Sequence, residues 1–160
     1  WGLLWDDENY YMIGFDSEAQ KIKHYRVDKM LDIELSEEKR DGKDSFKKLD
    51  MADYAKKSFG MFGGKDEKVR LLVHNDLAGV MIDRFGRDIM MIPADDEHIT
   101  INVDVRVSRQ FLAWVFSLGP QVKILGPAGV VTAMQEETRR MVEQYGISKT
   151  NDSRTRRETE

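Results

Sequence analysis

The sequence predicts an α+β protein in two parts: a small antiparallel β-barrel, then a β-α-β-β-α-β module followed by a C-terminal helix. Three observations predict it. Residues 1–27 alternate short apolar runs with acidic turns, residues 66–126 alternate strand-like and helix-like periods, and residues 127–146 carry one helical apolar stripe.

The chain has 160 residues, room for one ordinary domain or two small ones. A hydrophobic fraction of 41% and a charged fraction of 34% describe a globular chain that can build a core. No apolar run approaches bilayer length and the first residues do not read as a signal peptide, so a cytoplasmic protein without membrane contact is expected. Zero cysteines exclude disulfides, thiolate metal sites and cysteine nucleophiles. A net charge of −4 argues against coating nucleic acid over the whole surface, and leaves room for a local basic patch.

The chain opens on the apolar "WGLLW" with no cap or turn before it, as if inside an element. Residues 1–5, 9–15 and 20–27 read as strands separated by "DDEN" and "DSEAQ". The charged stretch "LSEEKRDGKDSFKKLD" reads as a solvated loop. Asp50 then caps a helix over "MADYAKKSF", with Met51, Tyr54, Ala55, Ser58 and Phe59 on one face, and the glycines of "GMFGGKDE" end it.

Further along, "VRLLVH" is a strand, and Asn75 or Asp76 caps a helix presenting Leu77, Val80, Met81 and Phe85, stopped at Gly86. "IMMIP" and "HITINVDVRV" follow as strands. The second alternates Ile99, Ile101, Val103, Val105 and Val107 against Thr100, Asn102, Asp104 and Arg106, one face buried and one wet. Ser108 caps a helix with Phe111, Leu112, Val115 and Phe116 inward; Trp114 reads as packing; and "QVKIL" is the last strand. This element order is that of ferredoxin-like folds. A final helix from Pro127 to Gly146 aligns Val130, Val131, Met134, Thr138, Met141, Val142 and Tyr145. The expected division is residues 1–49 for the barrel part and its loop, 50–65 for a linker helix and glycine-rich segment, 66–146 for the second module, and 147–160 for a disordered tail.

The chemistry-bearing stretch is "KIKHYRVDK". Strand alternation sends Lys23 and Tyr25 to one face, His24 and Arg26 to the other. A guanidinium fork beside an imidazole and a projecting tyrosine can clamp a phosphate and stack a base. The plain alternative is that Arg26 pairs with Asp28 or Asp16 while Lys21, Lys23 and Lys29 solvate an edge strand. "ADDEH", with Asp95, Asp96 and His98, has metal or acid–base residue types but sits where a hairpin turn is expected. No phosphate-binding glycine loop, Gly-x-Ser-x-Gly or His-Glu-x-x-His is present, so the chain reads as a non-enzyme, and no cofactor is implied.

"YYMIGFD" followed by "KIKHYRVDKM" resembles the WYL domain, in which an aromatic-Tyr-Leu triplet opens one strand and a later strand ends in Phe-Arg-x-Asp-Arg-Ile. Tyr10, Tyr11 and Met12 stand in the triplet; Tyr25, Arg26, Asp28, Lys29 and Met30 stand in the second motif. The departures are Tyr10 for Trp, Met12 for Leu, Tyr25 for Phe and Lys29 for Arg, the last of which loses a bidentate fork. "VRLLVHNDLAGVMIDRFG" through "VSRQFLAWVFSLGPQVKILGP" is similar to the WCX extension that follows WYL domains.

The resemblance implies an Sm-like β-barrel, here without its first strand, joined to a ferredoxin-like module. It also implies a ligand-sensing role in bacterial transcriptional regulators, as a homodimerising region downstream of a winged helix-turn-helix domain that alone meets promoter DNA. The effector expected is a nucleotide or single-stranded nucleic acid, held by Tyr11, His24, Arg26 and Lys29. A module for protein interaction alone, with no small ligand, is the other reading, and an enzyme using the Asp95, Asp96 and His98 turn a third.

Overall fold

In a computed structural model of the chain, the structure describes residues 1–47 and 49–146. It is a mixed α+β protein with two antiparallel sheets and a C-terminal helix. The tail expected over 147–160 lies outside the described residues.

The first sheet is β1 (Gly2–Asp6), β2 (Asn9–Asp16) and β3 (Lys21–Arg26), in that order. Its turns carry Asp7, Glu8 and Gln20 at positive φ, as tight reversals require. The expected barrel does not close: the three strands form an open sheet, and helices, not further strands, cover its inner face. Two short helices do this, α1 (Lys43–Lys47) and α2 (Met51–Lys57). The first falls in the stretch read as loop, where Phe46 finds apolar contact and anchors a turn of helix. Asp50 caps α2 by accepting from the backbone amides of Ala52 and Asp53, an arrangement worth about 1 kcal/mol. Ile13, Tyr54 and Met61 make the small core beneath this sheet, with Leu4, Tyr11, Ile22, Phe46, Leu49 and Met51 around it.

The second sheet contains β4 (Lys65–His74), β5 (Met91–Pro93), β6 (His98–Val107) and β7 (Val122–Gly126), in spatial order β5-β6-β4-β7 with every pair antiparallel. Helix α3 (Ala78–Phe85) connects β4 to β5, and α4 (Arg109–Ser117) connects β6 to β7. Strand β6 keeps its alternation: Ile101, Val103 and Val105 are buried, while Asn102 and Asp104 face water. Helix α4 starts where Ser108 Oγ accepts from the Phe111 amide. Residues Val69, Leu71, Val73, Met81, Phe111, Leu112 and Val115 close the main core, which is far larger than the one beneath the first sheet. Trp114 packs against it beside Phe59, Phe85 and Phe111.

Two expected core positions are not in the core. Phe116 is 65% exposed, and Val80 lies on the outer side of α3. Helix α5 (Ala128–Tyr145) begins after Pro127, ends at a left-handed Gly146, and buries Val130 on the sheet. Its later stripe of Met141, Val142 and Tyr145 stays exposed. Among the described residues no helix is long and apolar enough to cross a membrane.

The packing separates two phenylalanines on the same helix. Phe111→Ala, at 0% exposure, is expected to cost about 3–5 kcal/mol in urea denaturation. Phe116→Ala is expected to stay within about 0.5 kcal/mol of the parent; equal losses at both positions would contradict this packing.

Candidate functional site

Strand pairing sets which basic side chains share a face. Ile13 lies opposite His24 and Tyr11 opposite Arg26, so these four point to one side of the first sheet. That side is the one the small core occupies. Tyr11 is half-buried there, and the outward tyrosine of the pair is Tyr10, which meets Trp5 edge-on with ring centroids 4.7 Å apart.

Arg26 is engaged by its neighbours. Its Nε and Nη2 donate to both carboxylate oxygens of Asp28, at 2.9 and 2.8 Å, and Nη2 also reaches Asn9 Oδ1. Lys29 closes the short 3-10 turn that follows and is exposed. On the opposite face, Asp16 accepts from Lys23, the Ala19 amide and Tyr25, which together hold its carboxyl well below the usual range.

His24 is placed differently. Its Nδ1 lies 2.5 Å from the Met61 carbonyl oxygen and its Nε2 2.6 Å from the Tyr54 hydroxyl. A carbonyl can only accept, so Nδ1 carries the proton and donates, and the tyrosine hydroxyl donates to Nε2. Burial holds the imidazole below its ordinary pKa; the Met61 carbonyl opposes this and the Arg106 charge reinforces it.

Tyr54 links this pair to the second sheet. The Arg106 guanidinium lies over its ring, 4.4 Å from the centroid, and donates from Nε to Asp66 and from Nη1 to Ser58 Oγ. Arg84 completes the join, donating to the Ser58 carbonyl at 2.8 Å and lying 3.9 Å over the Phe59 ring. Around these groups opens a cavity of about 690 Å³, lined by Lys21, Lys23, His24, Tyr54, Asp66 and Arg106, with Gly63 and Gly64 at its edge. A side chain at Gly64 would collide with the Val107 carbonyl, so only glycine lets the chain pass this close to β6.

Of the four residues singled out from the sequence, this cavity includes His24; Tyr11, Arg26 and Lys29 are not among its lining residues. Sequence reasoning missed Tyr54, which read as a helix face, and Arg106, which read as the wet side of a strand. The "ADDEH" turn is used locally: Asp95 Oδ1 accepts from the Glu97 amide and lies 2.8 Å from His98 Nδ1. Among the described residues no group of three His, Cys, Asp or Glu could hold a metal ion.

The site so defined is a basic cavity between two antiparallel sheets of an α+β protein. Residues 65–142 match the family model of the WCX domain, which spans the second sheet and most of α5. Among solved structures, the chain is similar to proteasome accessory factor B/C (PafBC) of Arthrobacter aurescens, at 15% identity, with a TM-score of 0.41 over 94% of this chain. The chain spans 23% of the length of that one. No curated protein matches the sequence.

Burial of His24 has a pH signature. An unfolded histidine takes a proton near pH ~6.5, and His24 in the folded chain takes it only lower. The unfolded state therefore binds more protons just below that value, so the His24 contribution is fully present above it and is lost as pH falls, levelling off once the folded ring also protonates. Between pH 7 and 5 the urea midpoint of the parent is expected to fall more than that of His24→Gln; identical pH profiles would contradict the buried, neutral ring.

Proposed function

We propose that this chain is the effector-sensing and dimerising region of a bacterial transcriptional regulator, acting in the cytoplasm without catalysis. In this reading the first sheet is part of a WYL-type, Sm-like module and the second a ferredoxin-like WCX module. Promoter contact belongs to a winged helix-turn-helix domain of the kind that these modules accompany. The WCX match over residues 65–142 supports the second assignment, and the WYL-like motifs of β2 and β3 the first.

The observation that carries the sensing role is the cavity between the sheets, lined by Lys21, Lys23 and His24 of one sheet and by Arg106 and Asp66 of the other. Cations gathered in a concave site favour an anionic ligand, and the effector class is a nucleotide or short single-stranded nucleic acid. A ligand touching both sheets favours one arrangement of them and shifts the population accordingly.

Dimerisation is the second half of the proposal. The exposed stripe of Phe116, Met141, Val142 and Tyr145 borders an apolar groove between α4 and α5, rimmed by Arg109, Glu137 and Arg140. Such a face on a helix supports pairing between copies, and it also supports the other reading, a module for protein interaction with no small ligand.

Fluorescence anisotropy of labelled short DNA and RNA strands and of a labelled cyclic dinucleotide, at two salt concentrations, separates these readings. Salt-sensitive binding by a chain that sediments as a dimer, reduced roughly tenfold in Lys21→Ala, which removes a cation lining the cavity, is the expected result. A folded dimer that binds none of the probes would leave the interaction module.

A further inference from the structure

The following rests on the sensing role proposed above and names the chemistry of its site. Asp66 and Arg106 stand opposite each other on β4 and β6, on the sheet face turned away from the main core. Elsewhere on that face Asn102 and Asp104 are exposed, whereas the Arg106 side chain is only 13% exposed because α2 lies over it. The arginine is thus fixed by the Tyr54 ring, Ser58 and Asp66 at the wall of the cavity.

Its carboxylate partner is held loosely. The contact is a single one, from Nε to Asp66 Oδ1 at 3.0 Å, and the Asp66 side chain is 61% exposed. This leaves unused the two-point fork by which arginine grips carboxylate or phosphate. Ion pairs so open to water contribute little, so another anion can replace the carboxylate at small cost. Lys21 lines the same cavity and has no ion-pair partner among the described residues, and the Gly63–Gly64 backbone leaves the entrance clear of side chains.

We propose that this cavity is a phosphate-oxyanion site, with Arg106 and Lys21 as its cations and Asp66 as the internal anion that an incoming phosphate displaces. The phosphate belongs to the nucleotide or oligonucleotide effector. The consequence is that the ligand would exchange an interaction inside the second sheet for one that spans both sheets.

The test uses the 160-residue chain, with inorganic pyrophosphate followed through the His24 and Tyr54 ring resonances by NMR, and the labelled cyclic dinucleotide followed by anisotropy. Arg106→Gln is expected to weaken both roughly tenfold or more. Asp66→Asn is expected to tighten both about threefold, since it removes the resident competitor. The second variant alters an exposed side chain and keeps the test decisive should Arg106→Gln fail to fold: if the phosphate binds away from this pair, removing the carboxylate leaves its affinity unchanged.

Pyrophosphate that shifts His24 and Tyr54 with these variant effects upholds the site, even where no nucleotide binds and the sensing role itself fails. Nucleotide binding that Arg26→Ala removes while Asp66→Asn and Arg106→Gln leave it unmoved overturns the site and keeps the sensing role. Ring resonances that stay fixed at saturating pyrophosphate also overturn it.

Discussion

Tyr54 holds the two sheets to one another. Its hydroxyl donates to His24 of the first sheet, while its ring lies under Arg106 of the second, and with Ile13 and Met61 it makes up the buried core beneath the first sheet among the described residues. Three strands with so small a core have little independent stability, because a short open sheet buries too little apolar surface to offset the entropy of ordering the chain. The first sheet therefore depends on the connector helix α2, and α2 on the sheet it leans against. Arg84 and Arg106 converge on Ser58 at the end of α2 and so fix it from both α3 and β6.

This dependence has a functional side. The groups that join the sheets are polar and cationic, and they border a cavity rather than a dry seam. A purely apolar join would be mute to small charged molecules. On the proposed reading, one built from His24, Tyr54, Arg106 and an exposed Asp66 would answer to both protonation and anions, as a sensing module requires.

Much of the fold was legible in the residues themselves. Strict alternation placed β6 to the residue, Ser108 and Asp50 announced the starts of α4 and α2, and Gly86 and Gly146 marked helix ends. Phe116 and the Met141–Tyr145 stripe misled, because helical periodicity reports an apolar face without saying whether anything covers it. A short helix over Lys43–Lys47 stayed hidden in a charged stretch, since it owes its form to one anchoring phenylalanine. The site was half legible. Alternation correctly put His24 and Arg26 on one face, but whether that face met solvent, core or another sheet is a tertiary fact. Arg106 could not be found from sequence, because its neighbours on the same strand face are ordinary exposed polar residues and only the overlying α2 distinguishes it.

The most direct test of the account is amide hydrogen exchange at Ile13 and Val69, one in the core of each sheet, compared between the parent and Tyr54→Ala. The account predicts that protection at Ile13 collapses while protection at Val69 holds, because the first sheet depends on the join and the second does not. Protection kept at Ile13, or lost equally at both amides, would contradict it.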